Sequence, residues 1–200
     1  MKLYVTLYSP YARMARIMVR EKALETCIEE VIAQTRQVGS PYYQVNPSGR
    51  VPYLLRDDGI GMEDSALICT YLDHFDQAPA FERPSGEAGW EFLRLEAWAR
   101  SLMDGVSVWI RELARPAKDR SATIIGHEIA RSERLARLWE TEIESPLMTG
   151  PFNYPQMTLA CALQLDIWNP GFEWRRSNPK LVVWLDRISE RQTLTDTAPS

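Results

Sequence analysis

A serine at a predicted helix start is the first residue whose position suggests chemistry. Ser9 and Pro10 follow the alternating stretch KLYVTL at 2–7. Serine is favoured as a helix cap and proline in the first helical turn. Unpaired N–H groups and the helix dipole favour negative charge there, so the Ser9 hydroxyl is placed to donate to an anion such as a thiolate. These residues are equally compatible with a plain helix cap.

A second strand-to-helix turn carries an acidic residue next to a serine. Asp64 and Ser65 precede the apolar run ALICTYL. A helix N-terminus can bind a carboxylate through the N–H and hydroxyl of Ser65, while Asp64 can pair with an ammonium group. The pair suits the α-carboxylate and α-amine of an amino acid, although a capping pair without a ligand has the same sequence.

A glycine turn and a proline lie between these two helix starts. Segment 46–52 reads NPSGRVP, and Pro52 begins the strand-like run PYLL. A proline at a strand start is compatible with an ordinary trans peptide bond.

The elements that position these residues alternate between strand and helix. Strands are predicted at 2–7, 27–32, 51–55 and 60–63, and helices from Ser9 to about residue 24 and from Asp64 to about Asp76. The first strand, helix and strand predict a parallel pair with a right-handed crossover. Segment 33–49 is predicted to be irregular.

Helical periodicity dominates the rest of the chain. Long helices are predicted at 87–114 and 119–144, with an apolar helix at 157–165 and a last helix at 179–191. We therefore expect an α/β domain at 1–78, a linker at 79–87 and an all-α domain at 88–200.

Composition narrows the possible functions. The 200 residues carry 23 basic and 27 acidic side chains, for a net charge of −4, which argues against nucleic-acid binding. Three separated cysteines without a CxxC motif and two histidines argue against a metal site and a disulfide framework. With neither a signal peptide nor a membrane-spanning run, we expect a cytoplasmic protein that binds no membrane.

The motifs together resemble a known family. The SPYA segment at 9–12 is similar to the CPYC motif of glutaredoxins with both cysteines replaced, which excludes dithiol exchange there. SPYARMARI, NPSGRVPYLL and EDSALICTYLD, in this order, resemble the glutathione-site motifs of cytosolic glutathione S-transferases. RELARP, NYPQMTLACAL and NPKLVVWLDRISERQ extend the resemblance to nearly the whole chain, with the small bacterial-type, serine-dependent branch as the best fit.

The resemblance implies a thioredoxin-like first domain of order βαβ-α-ββα and assigns roles to its residues. Ser9 would hydrogen-bond the sulfur of glutathione and stabilise its thiolate. Pro52 would be cis, and the Val51 backbone would pair with the cysteinyl residue. Tyr8 and Tyr11 are alternative hydroxyl donors.

The same resemblance implies residues for the two ends of glutathione and for a second substrate. Asp64 and Ser65 would hold the γ-glutamyl end, and Arg50 would approach the glycyl carboxylate. The expected pocket for a small hydrophobic electrophile consists of Tyr8, Tyr11, Met103 and Trp109.

One motif departs from the family pattern. Many members carry a Ser/Thr-x-x-Asp box at the start of the core helix of the second domain, where this chain has Asn153 and Gln156. The neutral Gln156 is expected to lose a charge–dipole term of roughly 0.3–1 kcal/mol. Thr158 is a rival cap.

Three functions remain open at this stage. The first is glutathione conjugation to small hydrophobic electrophiles by a homodimer, with glutathione as co-substrate and no metal. The second is a glutathione-binding or protein-interaction member without catalysis. The third is glutathione-dependent reduction of peroxides or disulfides.

Overall fold

The chain forms two units in the computed structural model, which describes residues 1–199. The first unit contains Met1–Glu82 and the segment from Thr193 onward, and the second contains Arg83–Gln192. The first unit thus extends a few residues beyond the domain expected at 1–78 and also includes a C-terminal segment. Ser200, the last residue of the expected helical domain, lies outside the described residues.

A four-stranded sheet forms the centre of the first unit. Its strands are β1 (Lys2–Val5), β2 (Glu29–Ile32), β3 (Tyr53–Leu55) and β4 (Gly61–Glu63), and its helices are α1 (Pro10–Glu21), α2 (Tyr42–Val45) and α3 (Ser65–His74). The strand order is β2-β1-β3-β4. The β1–β2 pair is parallel, as the βαβ pattern predicted, and the other two pairs are antiparallel.

One face of the sheet is buried against α1 and α3. Leu3, Val5 and Leu54 point from the strands into this core and are fully buried. The two helices supply the rest of the core with Met14, Ile17, Met18, Ile68 and Leu72. Helix α1 has the apolar face that its i, i+3, i+4 spacing indicated.

The strand register brings three chain segments to one edge of the sheet. Tyr4 of β1 lies opposite Tyr53 of β3, which lies opposite Glu63 of β4. The end of β1, the start of β3 and the end of β4 therefore meet on the side of the sheet where these strands terminate, which is called the site edge below. Adjacent strands are about 4.8 Å apart, so the segments that follow or precede these strands emerge side by side.

The segment after Gln192 completes the first unit. The Arg13 side chain of α1, which is buried, donates from Nη2 to the Leu194 carbonyl at 3.1 Å and from Nε to Thr197 Oγ1 at 3.4 Å. Leu194 and Thr197 are each 1% exposed. These residues were expected in the helical domain, but their contacts with α1 are too distant in sequence for a local pattern to indicate.

The second unit is a helical bundle. Its helices are α4 (Gly86–Leu113), α5 (Ala122–Glu142), α6 (Pro146–Thr149), α7 (Tyr154–Leu163) and α8 (Pro179–Ser189), and α9 (Gln192–Thr195) begins at its end. Helix α4 packs against α5 and α7, and all ten residues of α7 are buried. In the part of the chain that the structure describes, no helix has both the length and the apolar character needed to cross a membrane.

Candidate functional site

Ser9 caps helix α1 and keeps its hydroxyl hydrogen available. Its Oγ accepts a hydrogen bond from the Ala12 N–H at 3.2 Å, which is the geometry of an N-cap. Within residues 1–199, that hydroxyl hydrogen has no acceptor. The half-buried side chain can thus donate to a ligand at the positive end of α1 without giving up the cap.

Val51 presents an unpaired stretch of backbone at the start of β3. The Val51–Pro52 peptide bond is cis, as the resemblance implied. Pro52 is buried, while Val51 is half-buried. Neither the N–H nor the C=O of Val51 forms a hydrogen bond with any residue from 1 to 199, so both are available to an extended peptide, as in β-strand addition.

Asp64 and Ser65 follow β4 at the same edge. Asp64 caps α3, with Oδ1 accepting from the N–H groups of Ala66 at 2.8 Å and Leu67 at 3.3 Å. This uses one carboxylate oxygen and leaves Oδ2 outside the cap. The Asp64 backbone has φ +83° and ψ 126°, a conformation costly for a residue with a side chain and often found at functional sites. Asp64 is exposed and Ser65 is buried.

A buried hydrogen-bond network supports both segments. The Asn46 side chain, 3% exposed, donates from Nδ2 to the Arg50 carbonyl and to Glu63 Oε2, each at 3.0 Å. The Tyr42 hydroxyl donates to the same Arg50 carbonyl at 2.5 Å. Burial, followed by the nearby Glu63 charge, raises the pKa of Tyr42 to about 12, so Tyr42 remains a neutral donor.

The network contains the residues that sequence reasoning missed. The sequence motifs include Asn46 only as part of NPSGRVP and Glu63 only as part of EDSALICTYLD, and they do not include Tyr42. Their partners lie up to 17 positions away in the sequence, beyond the range of a local motif. The one local signal is the Asn-x-Ser spacing, because the Ser48 N–H donates to Asn46 Oδ1 at 3.1 Å in an Asx turn.

The other expected site residues differ in accessibility. Arg50 is exposed and has no ion-pair partner between residues 1 and 199. Tyr8 is 61% exposed, with its hydroxyl 3.4 Å from Thr35 Oγ1, and Tyr11 is half-buried. Met103 has no exposed surface and Trp109 is 4% exposed within the helical unit. The assignment of Met103 and Trp109 to the pocket for the electrophile stays a prediction.

Asn153 caps α7 as predicted, but Gln156 does more than replace an acidic residue. Asn153 Oδ1 accepts from the Gln156 N–H at 3.1 Å. The Gln156 carboxamide donates to three carbonyls of the preceding loop, those of Leu147, Gly150 and Pro151, at 2.8–3.3 Å. An Asp side chain has no hydrogens for these bonds, so the expected loss of a charge–dipole term is an incomplete description of this position. Thr158 lies inside the helix and is not its cap.

The described residues contain no group of three or more His, Cys, Asp or Glu side chains that could hold a metal ion.

The sheet order, the cis proline at the start of β3 and the capped helix after β1 define a thioredoxin-like domain followed by a helical bundle. Residues 8–74 match the family model for the N-terminal domain of glutathione S-transferase. A crystal structure of a glutathione transferase family member from Pseudomonas fluorescens Pf-5, with bound S-(propanoic acid)-glutathione, is similar over 100% of both chains, at 30% identity and a TM-score of 0.86. The chain belongs to the glutathione S-transferase family.

Two further relatives agree with this assignment. A glutathione-bound structure of the Pseudomonas fluorescens Pf-5 family member has a TM-score of 0.89 at 29% identity, covering 100% of this chain and 98% of that one. The uncharacterized GST-like protein YibF of Escherichia coli K12 is 27% identical over 100% of this chain and 98% of its own length.

Proposed function

We propose that this protein binds glutathione at the site edge and activates it as a thiolate that attacks small hydrophobic electrophiles. The observation that carries the proposal is the Ser9 hydroxyl, which caps α1 and still has a hydrogen to donate. In the reaction, the glutathione thiol releases its proton to solvent, the thiolate sulfur forms a bond to an electrophilic carbon, and the leaving group departs with the bonding electrons.

The remaining groups of the site fit the other parts of the tripeptide. The free N–H and C=O of Val51 would pair with the cysteinyl backbone. The N-terminus of α3, with Ser65, would receive the carboxylate of the γ-glutamyl end, and Asp64 its ammonium group. The exposed Arg50 guanidinium would approach the glycyl carboxylate.

The energetics are sufficient without a metal or a general base. A free thiol has a pKa near 8.5, and lowering it by about two units requires roughly 2.7 kcal/mol of preferential thiolate stabilisation. One hydrogen bond to a charged acceptor supplies roughly 1.5–3 kcal/mol, and the helix N-terminus adds about 0.3–1 kcal/mol.

The relatives support a transferase rather than a binding protein alone. The Pseudomonas fluorescens structure at 30% identity holds S-(propanoic acid)-glutathione. This ligand is glutathione with a carbon substituent on its sulfur, which is the kind of product that thiolate attack gives.

We further propose a cytoplasmic homodimer. Leu67 on α3 and Phe75 directly after it are 51% and 43% exposed, and a second copy would remove this apolar surface from water. Analytical ultracentrifugation at micromolar concentration tests this proposal, and a sedimentation coefficient of a 23 kDa monomer would contradict it.

Calorimetry with glutathione, followed by turnover of an aryl halide, tests the main proposal. We expect binding at submillimolar to millimolar glutathione and conjugate formation. Binding without turnover across a panel of electrophiles would instead favour the non-catalytic alternative. Turnover of a peroxide by a variant without Cys27, Cys69 and Cys161 would favour the reductase alternative. No binding at millimolar glutathione would refute conjugation, the reductase alternative and a glutathione-binding role, and would leave only the protein-interaction alternative.

A further inference from the structure

Asn46 connects the two segments that would hold glutathione. The two hydrogens of its Nδ2 group go to acceptors from different parts of the chain, the Arg50 carbonyl and Glu63 Oε2, both at 3.0 Å. Arg50 immediately precedes Val51, and Glu63 immediately precedes Asp64. One buried amide thus bonds to the residue before each proposed binding segment.

The remaining polar atoms around Asn46 are also satisfied. Its Oδ1 accepts from the Ser48 N–H, and the Ser48 hydroxyl donates to the same Glu63 oxygen that Asn46 contacts. Tyr42 supplies a second donor to the Arg50 carbonyl. Hydrogen bonds from one buried amide to two segments restrain the groups that they join, and those groups here are the loop before Val51 and the end of β4.

Rigidity at these two points matters because one proposed binding segment has unpaired backbone groups and the other has a costly backbone conformation. The Val51 N–H and C=O have no partners within residues 1–199, and Asp64 has a costly backbone conformation with φ +83°. Such a conformation persists only where the surroundings impose it. The bond from Asn46 to Glu63, together with the α3 cap, provides that restraint.

We propose that Asn46 is a positioning residue, which fixes the Val51 and Asp64 segments at the spacing that glutathione requires without touching the ligand itself. This inference rests on the proposed glutathione binding. It assigns a role to a residue outside the expected contacts and predicts that the two contact segments are energetically coupled through it.

The first experiment compares Asn46→Ala with a matched control, Asp73→Ala. Asp73 is also buried in the first unit, and its carboxylate accepts from the N–H groups of Ala80 and Phe81, not from the network. We expect Asn46→Ala to weaken glutathione binding, measured by calorimetry, by about tenfold or more, since two buried hydrogen bonds are lost. Asp73→Ala should lower the unfolding midpoint but change the glutathione Kd by less than about twofold.

Steady-state kinetics separates positioning from chemistry. In Asn46→Ala, KM for glutathione should rise while kcat at saturating glutathione stays within about threefold, because Ser9 is unchanged. Equal losses of affinity in Asn46→Ala and Asp73→Ala would mean general destabilisation and overturn the proposal. Unchanged affinity in Asn46→Ala would overturn it as well, with glutathione binding by the wild type still standing.

Tyr42→Phe gives the answer if Asn46→Ala does not fold. This change removes the hydroxyl bond to the Arg50 carbonyl and the long contact from Asn46 Nδ2 at 3.5 Å, and it keeps the ring, whose centroid is 5.5 Å from that of Tyr4. We expect the Kd for glutathione to rise by about threefold with little change in the unfolding midpoint. If the Kd of this folded variant equals that of the wild type, the network does not position the site.

A double-mutant cycle tests the link to Asp64. If Asn46 acts through the end of β4, Asn46→Ala and Asp64→Ala together should weaken binding by less than the product of their separate factors. A full product would overturn the coupling. If the wild type binds no glutathione, the proposed function fails and this inference fails with it, a result distinct from all those above.

Discussion

Helices α1 and α7 both begin with a side-chain cap and a proline in the first turn, but the two caps leave different hydrogen-bonding groups unused. In α1, Ser9 caps the first turn and Pro10 follows. In α7, Asn153 is the cap and Pro155 lies in the first turn. Both caps accept one backbone N–H, at 3.2 Å and 3.1 Å.

The two starts differ in what remains after capping. Ser9 is half-buried and retains a hydrogen to donate. At α7, the Asn153 amide donates to the Leu147 and Pro151 carbonyls, and Gln156 is also fully used as a donor. A helix cap therefore becomes a candidate site when it keeps unused hydrogen-bonding capacity and access to solvent, whereas the capping sequence alone indicates neither.

The largest effect is expected from placing a charge at the start of α7, where the side-chain donors are all used. Gln156→Glu adds a negative charge at a helix N-terminus, which is normally favourable by about 0.3–1 kcal/mol. Here it removes the donors to three carbonyls in a side chain that is 3% exposed. We expect the free energy of unfolding to fall by about 3 kcal/mol in urea denaturation. A Gln156→Glu variant more stable than the wild type would show that the Gln156 hydrogen bonds do not distinguish the start of α7 from that of α1.

The second test removes the Ser9 hydroxyl, the donor that remains unused at the start of α1. Ser9→Ala should lower kcat/KM for an aryl halide by about 30-fold, since a hydrogen bond to the thiolate is worth about 2 kcal/mol. Glutathione affinity should change little. Ser9→Asp preserves capping but supplies no hydroxyl, so it should be at least as impaired, whereas Ser9→Thr should retain most activity. Full activity in Ser9→Ala would remove Ser9 from the mechanism.

Removing the cap of α7 should have an intermediate effect, confined to stability. Asn153→Ala loses the bond to the Gln156 N–H and should lower the free energy of unfolding by about 1.5 kcal/mol. The glutathione Kd should match the wild type in calorimetry. A changed Kd would show that the start of α7 is not a purely structural cap.

The smallest expected effect is a loss of stability in α1 at acidic pH, which depends on Glu30. Burial by itself raises the pKa of Glu30, but hydrogen bonds from Arg20 and Arg16 outweigh it, and the pKa lies below its usual 4.5. A lowered folded pKa means that the stabilisation is present above pH 4.5 and is lost as the pH falls through the folded value. Because both arginines lie in α1, we expect the protection of α1 amides against hydrogen exchange, corrected for the intrinsic pH dependence, to fall at acidic pH by at most about 1 kcal/mol.

Helix α7 provides the internal control for this measurement, since none of its residues is charged. Glu30→Gln should abolish the extra acid sensitivity of α1. Equal losses of protection in both helices would indicate global destabilisation rather than loss of the Glu30 ion pairs.

Local signals were enough to predict the four strands and the long helices. Ser9 with Pro10 predicted the start of α1, and the alternating strands with the βαβ order predicted the parallel pair. Ends were less accurate: the strand predicted at 2–7 stops at Val5, because the chain turns there and the Ser9 N–H bonds to the Thr6 carbonyl.

Features that depend on distant partners could not be predicted. The role of Asn46 depends on Glu63, 17 positions away, and the side of α4 that Met103 and Trp109 face depends on how the helices pack. Both are apolar residues of a 28-residue helix, and composition does not distinguish a pocket wall from a core residue.

The return of the last segment to the first unit has a consequence for how the protein is made. Residues 1–82 leave the ribosome first, but Leu194 and Thr197, which accept hydrogen bonds from the buried Arg13, are added only after the helical unit. At about 5–20 residues per second, the intervening 110 residues of Arg83–Gln192 require roughly 10 s of translation. The nascent first unit spends that interval without these two acceptors, so its final packing must follow the synthesis of the helical unit.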